Sequence, residues 1–233
     1  LFSALGMSMA LSILIFSFFM EDSMNYLMDV QYDLTQREDV NLSFVEAVPV
    51  RALEEIKAIP GVLRIEPMRS LAVNLKFKHY QKRTAIIGLT ARPELFRVIK
   101  QDLQGFALPP GGLVMNEKLA EILQVKTGDM ITVEVLEEKR QTLQIPVSGI
   151  IKEFIGLGAY MELNRLNFLL DSEVKITGAS LMTDDSQSML LYKKIKEIPK
   201  VIGLNITSVL RRIFEELMAE NLLKMVSVNI LFA

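Results

Sequence analysis

The chain has no cysteine, no tryptophan and a single histidine among its 233 residues. The missing cysteine excludes disulfides and thiolate chemistry. It fits an external bacterial domain without requiring one. With His79 alone and no thiol, a histidine-based metal site is not expected, and the flanking Lys78 and Lys82 favour reading His79 as a solvated turn residue. Phosphate-loop chemistry is missing too: Gly111-Gly112 lacks the Gly-Lys-Ser/Thr that would complete it. Gly156-Leu157-Gly158 lacks the third spaced glycine of a dinucleotide fingerprint and reads as a flexible loop. The acid pairs Glu54-Glu55, Glu137-Glu138 and Asp184-Asp185 are sequence neighbours, which point apart on a helix and make poor acid/base couples. No serine sits in a nucleophile elbow. The chain is therefore read as not an enzyme. Net charge is -2, and no basic cluster lies beside stacking aromatics, so nucleic acid is not an expected partner.

Charge is also missing from both ends. From Leu1 to Met20 there is none. Twenty helical residues rise about 30 Å, the thickness of a hydrocarbon core. A signal peptide would begin with a basic segment and end at a small-residue cleavage site; here Glu21 and Asp22 come directly after the run. Ala4, Ser8 and Ser12 form a row of small residues suited to close helix packing in lipid. Met225 to Ala233 is again uncharged. The expectation is a first transmembrane helix over 1–20 and the start of a second within 207–233, bracketing an external domain.

Beyond the first run the pattern turns amphipathic. Met20, Met24, Leu27 and Met28 recur at helical spacing, which predicts a stalk continuing to about Gln36 within 21–38. Near the other end Thr207 or Ser208 can cap a helix. Leu210, Ile213, Phe214, Leu217 and Met218 then form one stripe, with Arg211, Arg212, Glu215, Glu216 and Glu220 opposite. Two such stalks are expected to bury their stripes against each other or against the domain. Met20, Met24, Met28, Leu210, Ile213, Phe214 and Leu217 are the candidate coupling residues; plain packing is the competing reading.

An internal repeat organises the middle. Glu54-Glu55-Ile56-Lys57-Ala58-Ile59-Pro60-Gly61-Val62-Leu63-Arg64-Ile65 matches Lys193-Lys194-Ile195-Lys196-Glu197-Ile198-Pro199-Lys200-Val201-Ile202-Gly203-Leu204. In each, proline stops a helix and β-branched residues begin a strand. Alternating runs precede both, Asp39 to Glu46 and Thr177 to Thr183. Two β-α-β units in one sheet, helices on one face, are expected over 39–89 and 171–206. Between them, 90–170 reads as a β-rich insert. Pro93 to Gln104 is predicted helical, Leu113 to Met115 a strand, Glu117 to Leu123 a helix. Met130 to Leu136 and Thr142 to Ile151 are predicted to pair as a hairpin. Another hairpin is expected around His79, Tyr80 and Gln81. The fold class is thus α+β: a porter-like subdomain interrupted by a small β-rich subdomain, with transmembrane segments on either side.

The run Gly112-Leu113-Val114-Met115-Asn116-Glu117-Lys118-Leu119-Ala120-Glu121-Ile122-Leu123-Gln124-Val125-Lys126-Thr127-Gly128-Asp129 resembles the extracytoplasmic core of FtsX-like ABC transporter permeases. These include MacB-like macrolide exporters and lipoprotein-release permeases. Val147 to Ile151, Tyr160 to Leu170 and Ile59 to Val62 resemble the same family's flanking segments; Lys200 departs from its usual glycine. The resemblance implies a periplasmic core domain at the cell inner membrane. It implies a separate cytoplasmic ABC ATPase that binds ATP and Mg, with no cofactor in this chain. A second permease copy or homologue would complete a dimer. The substrate would be a lipoprotein, peptide, drug or lipid, or the domain would control a periplasmic partner. The rival reading is the sensor domain of a membrane receptor such as a histidine kinase or chemoreceptor, which also sits between two spans.

Overall fold

A computed structural model describes residues 2–137, 140–153, 156–170 and 173–232; side chains at 2–7, 9–10, 13–14, 219 and 221–232 lie outside that description. Helix α1 covers Phe2–Asp29 and passes into a π-helical turn over Val30–Thr35, where the Gln36 N–H reaches back to the Gln31 carbonyl at 2.8 Å. Strand β1 (Val40–Pro49), α2 (Ala52–Lys57) and β2 (Val62–Phe77) form the first unit. Strand β8 (Lys175–Thr183), α5 (Ser188–Lys196) and β9 (Val201–Ile206) form the second, and α6 (Thr207–Phe232) leaves from it.

The two units interleave as one antiparallel sheet in the order β2-β8-β1-β9. That is a split β-α-β arrangement. Leu53 and Ile56 of α2 and Leu191 and Ile195 of α5 pack with Val40, Leu42, Ile176 and Leu181 of the sheet in one core. Each fully buried Leu or Ile contributes about 1.5–3 kcal/mol. The two Pro stops behave differently. Gly61 takes φ +96° and its carbonyl accepts from the Asp184 N–H at 2.8 Å, whereas Lys200 turns with negative φ and its carbonyl accepts from the Val45 N–H at 2.9 Å.

Strand β2 does not stop where the first sheet ends. Its first half pairs with β8 up to Met68; from Arg69 it pairs with β3 (Tyr80–Leu89), and Val73–Lys76 pair also with β5 (Met130–Val135). Strands β4 (Leu113–Asn116), β6 (Thr142–Ile151) and β7 (Ala159–Glu162) complete the order β3-β7-β4-β6-β5-β2, and the β2–β3 pairing closes it into a barrel. Residues 69–89, which the sequence pattern assigns to the porter-like part, thus pair within the barrel. The short helix α3 (Glu117–Leu123) sends Leu119 and Leu123 into the core shared with Leu71, Val73, Leu75, Ile131 and Val133. The Gly-Asp signal has a local cause. Gly128 has φ +97°, the Asp129 carboxylate accepts from the Lys126 N–H at 2.8 Å, and the Asp129 carbonyl from the Val147 N–H at 2.8 Å. The turn therefore locks α3 to the β5–β6 hairpin.

Pro93 to Gln104 is not a helix. It is an irregular loop whose Leu95, Val98 and Ile99 are buried. Its backbone groups pair with other segments: the Arg37 N–H donates to the Leu95 carbonyl at 2.9 Å and the Arg97 N–H to the Thr35 carbonyl at 2.8 Å. Long-range pairing of this kind replaces the i to i−4 ladder. The membrane spans expected over 1–20 and from 225 are not shown: among the described residues no helix is long and apolar enough to cross a membrane. The side chains of 225–233 lie outside the described residues.

Candidate coupling site at the neck of the domain

Both helices leave the domain through neighbouring strands. Val40 at the start of β1 sits opposite Ile206 at the end of β9. The Thr207 N–H, opening α6, donates to the Asp39 carbonyl at 2.9 Å. The Asp39 carboxylate accepts from the Thr183 N–H at 2.7 Å, and the Asp39 N–H donates to the Leu181 carbonyl at 2.9 Å. One residue thereby ties both necks to the central strand β8.

Above the neck an arginine joins the two helices. Arg211 on α6 donates to Asp29 at 3.1 Å and to Asp33 at 2.9 Å, and to Glu215 on its own helix at 2.9 Å. These acids raise its pKa, the Glu215 hydrogen bond foremost. Asp29 ends α1 and Asp33 lies in the π-helical turn, so the clamp spans the place where the helical repeat changes. Single-turn π-bulges within helices fall frequently at functional sites. The apolar stripe of α6 puts Arg211 on the opposite, polar side, where solvent is the expected neighbour. The clamp is not foreseeable from that stripe, because Asp29 and Asp33 are remote in sequence.

Of the two expected stripes, that of α1 is buried in part and that of α6 faces mostly outward. Met28 is 5% exposed, Met24 and Phe214 are half-buried, and Met20 is exposed. Leu210, Ile213 and Leu217 stand 42%, 46% and 52% exposed. The reason is rotational: α6 turns its Arg211 face toward α1, which carries the stripe onto the outside.

A buried acid sits in the same neck. Glu38 is 3% exposed, and its Oε2 has no hydrogen-bond partner. Burial pushes its pKa up to about 7, against a backbone hydrogen bond and Asn41 that pull it down; the charges of Glu66 and Asp39 add to the rise. An acid raised in the folded state costs nothing below the unfolded value of 4.5 and destabilises progressively as pH climbs toward 7. At about 1.4 kcal/mol per unit, the penalty at pH 8 is roughly 3 kcal/mol. Thermal melts of the unaltered chain are expected to fall between pH 5 and 8 more than those of Glu38→Gln. Parallel pH profiles of the two would rule out this assignment.

A second acid, partly buried, follows strand β6 of the barrel. Glu153 accepts from Asn116 at 3.1 Å, and burial raises its pKa. Burial, and next the Glu153 charge, pushes the Tyr160 phenol well above its usual value. Both groups are therefore held neutral more readily than in water. Among the described residues no group of three His, Cys, Asp or Glu side chains could hold a metal ion.

The fold and neck thus define an α+β domain of a split β-α-β sheet continued into a closed barrel, with two helices leaving side by side. No protein-family model and no curated protein matches the chain. Among solved structures it is similar to the extracellular domain of the ABC-type transporter YknZ from Gram-positive bacteria, at 12% identity and TM-score 0.44, over 70% of this chain and 99% of that one. It is similar also to the periplasmic region of MacB from Actinobacillus actinomycetemcomitans, at 12% identity and TM-score 0.49, over 77% and 94% of the two chains.

Proposed function

We propose that this chain is the extracytoplasmic domain of an ABC transporter permease subunit, held at the bacterial inner membrane through the apolar ends of α1 and α6. A separate cytoplasmic ATPase binds ATP and Mg and moves the two helices. The neck converts that movement into displacement of the split β-α-β sheet and the barrel beyond it. The output is export or release of a lipoprotein, peptide, drug or lipid, or control of a periplasmic partner, with a second permease copy or homologue completing the dimer.

One observation carries this reading. The two helices emerge from hydrogen-bonded neighbours, β1 and β9, and are joined again by Arg211. Relative sliding of two helices anchored on adjacent strands strains a single short ladder, so displacement is passed on rather than dissipated in a flexible linker. Leu11, Ile15, Phe16, Phe18 and Phe19 are all exposed on α1, as a helix end meeting lipid requires. The exposed Met20, Leu210, Ile213 and Leu217, with the half-buried Met24 and Phe214, are the surface through which the neighbouring helices of such a permease would push, and the buried Met28 would pass that movement inward.

The absence of cysteine makes a direct test simple. His79→Cys places a thiol at an exposed β-turn of a domain that otherwise has none, and labelling is read against the unaltered protein. In intact cells expressing the full-length protein, a membrane-impermeant maleimide is expected to label it, and the protein is expected to co-purify with an ABC ATPase. Arg211→Gln is expected to preserve that association while lowering the transport-linked response of the ATPase severalfold. A kinase or chemoreceptor signalling module co-purifying in place of the ATPase would overturn the proposal in favour of a sensor.

A further inference from the structure

The irregular Pro93 to Gln104 loop builds a cleft. Its walls include Arg37, from the linker below β1, and Arg92 and Arg97, from the loop and its approach; its volume is about 570 Å³. That lies within the range of small-molecule sites. Three guanidinium groups line one cleft, and none of them has an ion pair among the described residues. The one acid in the lining, Glu94, is already engaged by Arg64. Glu66 accepts the Glu94 and Leu95 N–H groups at 3.1 Å and pairs with Arg64 at 3.2 Å. Glu94 and Glu66 are therefore engaged in holding the loop and form no ion pair with the three arginines.

The rest of the cleft combines a close backbone approach with apolar surface. Gly105 lies under the Arg97 guanidinium: a Cβ there would stand 2.8 Å from its terminal nitrogen. An added Cβ would push the flexible end of Arg97 aside, so the glycine lets that planar group lie against the backbone. Val98 and Phe106 supply an apolar surface beside the charges. The Phe106 ring is held in turn by the Lys100 ammonium at 5.0 Å from its centroid. Charge and apolar surface in one cleft suit an amphiphile with an anionic head. Guanidinium forks match a phosphate or carboxylate through paired hydrogen bonds.

We propose that the Arg37–Arg92–Arg97 cleft is a binding site for an oxyanion head group, most favourably a phosphate carried on an apolar chain. The site bridges the neck and the loop. Arg37 comes directly after the Gln36–Phe96 bridge, and Arg97 donates its N–H to Thr35 at the end of the π-helical turn. A head group held by all three arginines fastens the base of the α1 stalk to the barrel-side loop. The site stands on the cleft alone and does not require the transport reading.

Calorimetric titration of the chain in neutral detergent tests it, with dihexanoyl-phosphatidic acid, dihexanoyl-phosphatidylcholine and inorganic phosphate as probes. Saturable binding of the phosphatidic acid is expected, weakened roughly tenfold or more by Arg97→Gln and by Arg37→Gln. Gly105→Ala keeps every charge but displaces the Arg97 guanidinium, and is expected to weaken binding severalfold with an unchanged melting temperature. Arg212→Gln, an exposed arginine on α6, is the charge control and is expected to leave binding as it was. Phosphate binding as tightly as phosphatidic acid, with the same arginine dependence, would support the site and identify a free anion as its ligand. Three results would overturn it: no saturable binding of either phosphate probe, equal binding of phosphatidylcholine, or equal losses from Arg212→Gln and Arg97→Gln.

Discussion

Gly178→Val is expected to prevent the split β-α-β sheet from assembling. Gly178 lies in the interior strand β8, opposite Ser43 of β1 on one side and Met68 of β2 on the other. A Cβ at this position would stand 2.5 Å from the Leu42 carbonyl oxygen. The obstructing atom is backbone in a paired strand, so no side-chain rotation relieves it. The strand must move by about an ångström, and that breaks the close packing of Leu42, Ile176 and Leu181 behind it. Overpacking and a displaced central ladder together cost about 4 kcal/mol or more. That lowers the melting temperature by roughly 10 °C or abolishes the transition. Gly203→Ala on β9 is the contrast: its Cβ would meet only the Ser43 side chain, at 3.6 Å. Its melt is expected within about 2 °C of the parent, since surface changes without a clash stay near ±0.5 kcal/mol. Equal melts for the two variants would contradict the close approach.

Asn167→Ala is expected to have the next largest effect, through the joint between sheet and barrel. Arg69 marks the residue at which β2 leaves β8 for β3, and it is 2% exposed. Its guanidinium donates to the Asn167 side-chain oxygen. The same oxygen accepts from the Lys175 N–H, at the start of β8, at 3.0 Å, while the Asn167 amide donates to the Leu163 carbonyl at 2.9 Å. Asn167 belongs to helix α4 (Leu163–Leu169), which comes directly after barrel strand β7. One amide therefore holds the helix, the crossing strand and the first residue of β8. Truncation leaves a buried cation and a backbone donor without that acceptor, a loss of about 3 kcal/mol. Differential scanning calorimetry is expected to show a fall of about 6–12 °C. Asn167→Asp keeps the acceptor and is expected to recover most of it. A variant melt within about 2 °C of the parent would show that the joint does not depend on this residue.

Much of the local structure is legible directly from residues. The repeated Ile-Pro segments end α2 and α5 and begin β2 and β9, because proline cannot continue a helix and the β-branched residues after it favour a strand. The Lys126 to Asp129 turn, strands β5 and β6, and helix α3 with Asn116 capping the Lys118 N–H at 2.7 Å stand where the pattern places them. The helical reading of Pro93 to Gln104 fails because Leu95, Val98 and Ile99 recur at spacings a helix shares with a loop folded onto a core. Glu38 and the three cleft arginines carry no sequence signal. Each is one charged residue among many until burial, or the lack of a nearby acid, sets it apart.

Periodicity, proline and glycine act over a few residues, and that is the range over which this sequence determines its structure by itself: which segments are helix or strand, where they stop, and which faces are apolar. Tertiary structure decided everything that depends on residues far apart. It made β2 one strand of 16 residues serving two sheets, where local pattern suggests two strands. It turned α6 so that Arg211 meets Asp29 and Asp33, leaving Leu210, Ile213 and Leu217 outside. It also brought Arg37 to Arg92 and Arg97 around one cleft. The physical reason is the same in each case. Pairing, rotation and burial are selected by the packing of the whole chain, whose contacts at long separation have no counterpart in the spacing of neighbouring residues.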